Sequence, residues 1–540
     1  MLTSLVRTAA RLICICTIVL GSAGLLARQE PQHDMSGPMP PARYIEPIKL
    51  FTVGLGPFKR PISSNNQDAQ AFFNQGMQMM YAFAKVDAVR SFRMSWTADP
   101  NCAICYWGEA WAWGSYLNGA MTATEAPHAY AALQKAIARK AGAPEKDRAF
   151  IDALSVRYVE KFEASKRVEQ DRAYAEAMRK LSEKYSNDLD AMTLYADALF
   201  LLEPRRGTRD ANSANVKRLH GVLEKVLSRD IHHPGACHLY VHATESTKVA
   251  QKAEACAEFL GTSIPGASHI NHMPSHTYNV IGRWDDAVRA NVMAWQSDQK
   301  AAIGEGFAIY PEHNLHMLAF SASYGGQSGI AIQAGKDYAK STRDTLYQVL
   351  TLLRFGRFDE IAAVSTRPTA EVSGGMWDFA QGYAKLRLGK TDDAKQDLEK
   401  LLKVAESSKA SFRGHPARVL LGSVAGILEG EMQRTAGDLP GAIKSFERAV
   451  KFEDEIIYDE PEPLPFSARH WLGAALIDAK RYDDAAKVYK EELEHHPLNG
   501  WSLIGLRQAL VGEGKSTSEV DKQLATSWAR ADVWTKASRF

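Results

Sequence analysis

The chain has 540 residues, with 65 lysines and arginines against 63 aspartates and glutamates, a formal net charge of +2 and a hydrophobic content of 45%. This length exceeds one compact core and indicates several domains or a long repeat array. The near-neutral charge gives no reason to expect nucleic acid or an acidic membrane surface as a partner.

Residues 1–27 have the order of a secretory signal. Arg7 and Arg11 precede an apolar run over residues 12–20. Small residues follow at 21–23, and Ala27 stands before Arg28. A positive, an apolar and then a small-residue segment is typical of a cleavable signal peptide, and this apolar run is too short to span a membrane. We therefore expect an exported protein, periplasmic or secreted, without a membrane span.

Prolines concentrate between Pro31 and Pro61, directly after the predicted signal peptide. Such a composition predicts an extended lead-in over residues 28–66.

Four cysteines lie outside the signal peptide, an even number that permits disulfides in an exported protein. Cys102 and Cys105 form a C-x-x-C motif that Tyr106 follows, so the histidine required for c-type haem attachment is absent. The motif predicts a local disulfide or two buried small side chains. Cys237 and Cys256 are spaced so that they could pair across one helix hairpin.

From residue 69 onwards the pattern is helix, short turn and helix, with an internal period near 34 residues. Five segments match small, large and proline positions of one repeat: residues 72–100, 282–294, 377–398, 438–449 and 466–497. In each segment one alanine stands where two helices must approach closely: Ala88, Ala287, Ala394, Ala442 and Ala485.

These segments resemble tetratricopeptide repeats (TPR). The resemblance covers most of residues 69–515 and implies an all-α, TPR-like α-α superhelical solenoid, because one helix hairpin cannot bury its own apolar face. We expect two solenoid parts, residues 67–325 and 326–540. The resemblance also implies a concave groove, lined by the first helix of each hairpin, that binds a protein or peptide partner.

A second, narrower resemblance concerns residues 274–278. They form a Pro-Ser-His-x-Tyr element that is similar to one in the middle units of exported bacterial TPR proteins with a histidine-rich central segment. This resemblance implies no activity.

Seven of the 16 histidines lie between residues 238 and 316, in three sets whose members are three or four residues apart. Residues at this spacing share one face of a helix, and imidazole is the commonest side-chain metal ligand. The candidate ligands, including the acidic Glu245 one turn beyond His242, are His238, His242, Glu245, His269, His272, His276, His313 and His316.

Chain breakers frame each set and predict three helices. Pro234 and Gly235 precede the first set, and Pro311 stands at the first turn of the third, where proline is tolerated. The second set runs from Gly266 to Gly282 with Pro274 inside it, which predicts a kink because proline frees the carbonyl of Ile270. Each helix would be the first of a hairpin, so all three sets would face the groove.

Three interpretations of these histidines stay open. They form a transition-metal site of zinc, copper, iron or nickel; they line a polar groove that binds an acidic or aromatic peptide; or they share no common site. Seven imidazoles exceed one tetrahedral zinc site, so some would orient the ligands or two metals would bind. Glu245 could bind metal, orient a ligand histidine or act as a base.

Three functions are compatible with this pattern. The first is an exported binding module whose groove carries the metal site and a protein or peptide partner. The second is a metalloenzyme, an oxidoreductase or a hydrolase, that uses the same histidines. The third is a structural scaffold for protein interactions without metal. No H-E-x-x-H, G-x-S-x-G, phosphate-loop or dinucleotide motif occurs in the sequence, so no reaction class follows from it.

Overall fold

The computed structural model describes residues 41–204 and 207–540. The predicted signal peptide, residues 1–27, and the first part of the predicted lead-in lie outside the described residues. Within them, no helix combines the length and apolarity needed to cross a bilayer.

The described chain is almost entirely helical, as the sequence predicts. The N-terminal helices are α1 (Pro41–Ile45), α2 (Gln67–Tyr81), α3 (Lys85–Ala98), α4 (Ala103–Trp113), α5 (Ala126–Arg139), α6 (Glu145–Ser155), α7 (Arg167–Lys184), α8 (Leu189–Phe200) and α9 (Ala214–Leu227). The central helices are α10 (Pro234–Glu245), α11 (Glu254–Ser263), α12 (Ser268–His272), α13 (Pro274–Ile281), α14 (Trp284–Ala302), α15 (Pro311–Tyr324) and α16 (Ser328–Thr342).

The C-terminal helices complete the array. They are α17 (Leu346–Arg354), α18 (Phe358–Ala363), α19 (Glu371–Arg387), α20 (Thr391–Ser407), α21 (Ala417–Thr435), α22 (Leu439–Glu453), α23 (Arg469–Asp478), α24 (Tyr482–His495), α25 (Gly500–Gly512) and α26 (Ser518–Ser527). Short 3₁₀ helices occupy Lys140–Gly142, Ala164–Lys166 and Ala250–Ala253, and a small antiparallel hairpin pairs β1 (Ser411–Phe412) with β2 (His415–Pro416).

Consecutive helices pack against each other as hairpins, and each hairpin contacts the next. The alanines expected at the close approaches are all fully buried: Ala88, Ala287, Ala394, Ala442 and Ala485. Between the two helices of a hairpin, Gly282, Gly389 and Gly437 turn the chain with φ of 81°, 79° and 84°, a conformation that favours glycine. The fold is therefore a TPR-like α-helical solenoid, and this prediction is confirmed.

The lead-in is irregular after α1, but it is docked on the helices. Arg60 donates to Asp188 at 3.0 Å and to Asp190 at 2.7 Å, and all three side chains are nearly buried. The backbone NH of Gly266 donates to the carbonyl of Gly54 at 2.9 Å, which ties the lead-in to the loop before α12.

The solenoid closes on itself. Three indole NH groups connect helices that are far apart in sequence: Trp284 donates to Pro497 O at 2.9 Å, Trp501 to Ser323 O at 2.8 Å, and Trp528 to Tyr324 O at 3.1 Å. The end of the chain thus packs against the central helices, and the inner surface of these helices is covered.

The apolar core forms two large clusters. One draws its buried side chains from residues 44–309, and the other from residues 288–520. The first two histidine sets fall within the residue range of the first cluster, and the third falls within that of the second. The division of the chain at residues 325 and 326 stays a prediction.

Gly473 on α23 and Gly505 on α25 enclose the ring of Tyr489, and a Cβ at either position would overlap that ring. We expect Gly473→Ala to lower the free energy of unfolding by about 1–3 kcal/mol, the usual cost of overpacking. Urea denaturation followed by circular dichroism measures this.

Gly221→Ala is the control, because a Cβ at Gly221 on α9 meets no atom within 4 Å. This variant is expected to be neutral or stabilising by up to about 1 kcal/mol, since alanine is the better helix former. Equal stability changes in both variants would contradict the packing argument.

Candidate metal centre

The three histidine sets meet in the interior of the protein. All seven side chains are buried, and the most accessible of them, His313, is 5% exposed. The polar-groove interpretation requires imidazoles that a peptide can reach, and these are covered. The rings of neighbouring sets lie close together, with centroids 5.0 Å apart for His238 and His269 and 4.6 Å apart for His272 and His313.

The first set lies on α10, which begins at Pro234 as the chain breakers predict. His233 caps this helix, since its Nδ1 accepts from the backbone NH of Ala236 at 3.1 Å. His238 and His242 follow one turn apart on the same face, with ring centroids 5.0 Å apart. Glu245 ends the helix on that face.

The second set lies on two helices rather than on one kinked helix. α12 ends at His272, and α13 begins at Pro274, because proline lacks the NH that would continue the hydrogen-bond ladder. His269 and His272 are on α12, and His276 is in the first turn of α13. The break leaves the rings of His272 and His276 4.6 Å apart.

The two histidines of the third set have different surroundings. α15 begins at Pro311, as predicted, and brings His313 to His272 and His276. His316 lies one turn further along and stacks on Tyr347, with ring centroids 4.1 Å apart. It belongs to none of the three ligand groups found among the described residues.

Two groups of three histidines have the spacing of a metal site. The first is His238, His242 and His269, and the second is His272, His276 and His313; within each group the ligand atoms lie within 4.8 Å of one another. In the second group Nε2 of His272 is 2.9 Å from Nε2 of His276 and 3.2 Å from Nε2 of His313. Two nitrogens on one tetrahedral zinc ion are about 3.3 Å apart, given zinc–nitrogen bonds of about 2.0–2.1 Å.

Four of the imidazoles have Nδ1 fixed by an oxygen acceptor. His238 donates to Tyr81 O at 2.6 Å, His242 to Glu245 Oε1 at 2.7 Å, His272 to Asn291 Oδ1 at 3.2 Å, and His276 to Glu245 Oε2. A neutral imidazole carries one proton, so Nε2 of each ring is a bare lone pair. This is the arrangement of metal-ligating histidines, whose other nitrogen donates to a carboxylate or a carbonyl.

Several of these lone pairs have no hydrogen-bond partner in the protein. Nε2 of His238, Nε2 of His242 and both ring nitrogens of His269 are buried and unpaired. Nε2 of His272 and Nε2 of His276 face each other although both are acceptors. The donor set therefore fits a transition-metal cation, which would satisfy these nitrogens together.

Glu245 joins the two groups. One carboxylate oxygen accepts from His242 of the first group, and the other accepts from His276 of the second and from Tyr458 Oη at 3.0 Å. These contacts give Glu245 the orienting role, although it also lies in a third ligand group with His242, His276 and Glu460.

Burial sets the protonation of the site. It lowers the pKa of His238, His269, His272 and His313 well below the usual value, and neighbouring imidazoles lower it further. Burial and Glu460 act to raise the pKa of Glu245, but His276 and His242 outweigh them and leave it lowered. Neutral imidazoles around an ionised carboxylate are the forms that bind metal.

Two residues of the site were not among those predicted from the sequence. Tyr458 and Glu460 come from the loop between α22 and α23, more than 200 residues after Glu245 in the chain. Arg413 holds this loop through paired hydrogen bonds to Asp459, at 2.6 and 2.9 Å. The signal was an acidic, proline-rich stretch at residues 459–465 that interrupts the repeat period.

Both predicted cysteine pairs form disulfides. Cys102 and Cys105 are joined at the start of α4, with Cα atoms 5.4 Å apart. Cys237 on α10 and Cys256 on α11 are joined with Cα atoms 4.9 Å apart. The second disulfide fastens the first histidine helix to its partner in the hairpin.

No family model and no curated protein match this chain. Among solved structures, it is similar to a human IFIT1 dimer with m7Gppp-AAAA (12% identity, TM-score 0.30, covering 80% of this chain and 90% of that one). It is also similar to the APC/C hetero-tetramer Cut9–Hcn1 (14%, 0.30, 89% and 79%) and to yeast Tom70 (12%, 0.27, 86% and 91%). These overlaps are too low to bear on function, and the fold assignment depends on the helical hairpins themselves.

We expect the Cys237→Ser/Cys256→Ser double variant to lose about 3 kcal/mol of stability, because the disulfide closes a loop of about 20 residues. Urea denaturation of the oxidised protein tests this, and Cys102→Ser/Cys105→Ser is the comparison. That shorter loop is expected to contribute about 2 kcal/mol. Free thiols at Cys237 and Cys256 in the mass spectrum of unreduced protein would contradict the assignment.

Proposed function

We propose that this protein is an exported transition-metal-binding protein, in which a TPR-like solenoid encloses a multi-histidine centre. The observation that carries the proposal is the set of buried Nε2 lone pairs whose rings are each oriented through Nδ1. Residues 1–27 support export, and so do the two disulfides, since disulfides persist in oxidising compartments.

The ligand set favours some metals over others. Imidazoles suit zinc, copper, iron and nickel, whereas magnesium and calcium prefer oxygen ligands. Two groups of three histidines, linked through Glu245, suit two ions better than one. In this arrangement His238, His242 and His269 hold one ion, and His272, His276 and His313 hold the other. Glu245 and Asn291 orient the rings.

Metal analysis tests the proposal directly. Protein purified without a histidine tag is expected to contain at least one transition-metal ion per chain by mass spectrometry of the metals. The His238→Ala/His276→Ala variant, which removes a ligand from each group, is expected to lose most of that metal. Metal is also expected to raise the unfolding temperature of the wild type, because it binds only the folded site.

His232→Ala is the matched control, because the His232 side chain is 72% exposed and lies outside the ligand groups. It should retain the metal content of the wild type. A wild type without metal after incubation with zinc, copper, iron and nickel would refute the proposal, and so would unchanged content in the double variant.

A protein or peptide partner is part of the same proposal, as the repeat architecture suggests. Because the imidazoles are buried, such a partner would contact exposed faces of the solenoid rather than the histidines. The metal would then support partner binding by stabilising the central hairpins.

The second candidate function is a metalloenzyme. A cavity of about 360 Å³ lies beside the first histidine group. Phe83 and Tyr310 line this cavity, and their rings also contact histidines of the group. Three protein ligands with one open position are typical of catalytic zinc sites.

Azide binding distinguishes an open from a closed centre. Cobalt(II) in the centre is expected to give a visible spectrum that azide shifts if a coordination position is open. An azide-induced shift would favour the enzyme, whereas an unchanged spectrum at saturating azide would favour a closed, structural centre.

A further inference from the structure

The cavity beside the first histidine group has aromatic walls. Its volume is about 360 Å³, and its wall includes Tyr44, Phe83, Lys85, Tyr116, Glu125 and Tyr310. This volume lies at the small end of the range of about 300–1,000 Å³ that is typical of ligand sites. It therefore suits a molecule with a single ring.

Phe83 separates this cavity from the imidazoles. Its ring centroid is 4.1 Å from that of His238, 5.8 Å from that of His242 and 5.6 Å from that of His269. The same ring lines the cavity. Phe83 thus lies between the cavity and the first histidine group.

Phe83 occupies a turn position that several other hairpins, although not the one with Lys480, give to glycine. It lies five residues before the buried Ala88, as Gly282 lies before Ala287 and Gly389 before Ala394. Its φ is 60°, in the left-handed region that bulky residues rarely adopt. Holding this conformation costs about 1–3 kcal/mol, so the fold keeps an aromatic ring here against a backbone preference.

Tyr310 is a second aromatic residue in the left-handed backbone conformation. It precedes α15 with φ of 59°, and its ring centroid is 5.1 Å from that of His269. Its hydroxyl is 2.8 Å from the hydroxyl of Tyr116. Two strained aromatic residues therefore border both the cavity and the same histidine.

The inner wall of the cavity is electrically balanced. Lys85 Nζ donates to Glu125 Oε1 at 2.7 Å, and Tyr44 Oη donates to the same oxygen at 3.2 Å. Lys85 and Glu125 neutralise each other. Arg43, Asp87 and Glu312 also line the cavity and carry both signs, so neither charge dominates the wall. Aromatic faces and hydroxyl groups instead suit a flat ring that carries a hydrogen-bonding group.

We propose that this cavity binds a small uncharged aromatic molecule of the phenol type, and that Phe83 controls its contact with the metal centre. The inference rests on the proposed metal site and names the class of ligand that the centre would meet.

Titration calorimetry with phenol tests the cavity. Phenol is expected to bind the wild type with a Kd in or below the millimolar range. Ala120→Trp should raise that Kd by about tenfold or more, because Ala120 lines the cavity and is itself exposed, so the larger side chain fills the site without disturbing the core. Ala362→Trp, at an exposed alanine on α18, is the control and should bind phenol as the wild type does. Absent binding, or equal binding in all three proteins, would overturn the proposal.

The role of Phe83 is tested by Phe83→Gly in cobalt-loaded protein. This variant is expected to keep the cobalt content and to bind azide at least about tenfold faster than the wild type in stopped-flow absorbance, because the ring no longer covers His238. Lys480→Gly is the matched control: Lys480 holds the same turn position before Ala485, with φ of 58°, and its side chain is exposed. Equal azide rates in Phe83→Gly and the wild type would refute the role of Phe83.

The two proposals fail in different ways. If no metal binds, the metal centre is refuted, and the phenol titration of metal-free protein still decides whether the cavity is a ligand site. If cobalt binds but phenol does not, only the ligand site is refuted. Phenol that binds and also changes the cobalt spectrum would support both.

Discussion

The structure depends on an unfavourable contact at its centre, where acceptor nitrogens of several histidines are buried next to one another without hydrogen-bond donors. A buried polar atom without a partner costs about 1–3 kcal/mol. Nε2 of His238, Nε2 of His242 and both nitrogens of His269 are in this condition, and Nε2 of His272 faces Nε2 of His276 at 2.9 Å. Folded proteins retain few such atoms, so several at one point favour the metal site proposed above. Under that proposal, folding of the central hairpins and metal binding are linked.

Closure of the solenoid creates this unfavourable contact. In an open solenoid the inner helices face a groove, and water would solvate the imidazoles. Here the C-terminal helices return to the central ones through the indole of Trp284, and the loop that carries Tyr458 reaches Glu245. The imidazoles are buried because distant repeats cover them. The two apolar clusters supply the stability that these buried polar side chains do not.

The sequence predicted the local parts of this arrangement well. The repeat period located the hairpins, the chain breakers located α10 and α15, and the spacing of three or four residues placed the histidines on common faces. These features depend on neighbours within one or two turns. Pro274 was correctly identified as a disruption, but it separates two helices rather than kinking one.

The long-range features could not be predicted. Tyr458 and Glu460 reach the site only because the superhelix closes, and no local pattern encodes that closure. His316 shares a helical face with His313 but stacks on Tyr347. Successive turns of one helix face can contact different neighbouring helices, so a shared face does not guarantee a shared site. No sequence motif singled out Phe83. Its unusual backbone conformation becomes evident only when its turn is compared with the glycine turns of other hairpins.

Hydrogen bonding alone does not resolve the centre. His272 and His276 each use their one proton at Nδ1, toward Asn291 and Glu245, so none remains between the two Nε2 atoms. An additional proton would form a buried imidazolium, and burial already lowers the pKa of His272 well below its usual value. Rotating a ring would break its contact with Asn291 or Glu245 and expose a new unpaired nitrogen. A metal ion removes the unfavourable contact without either cost, because it accepts several lone pairs at once and leaves every Nδ1 contact in place.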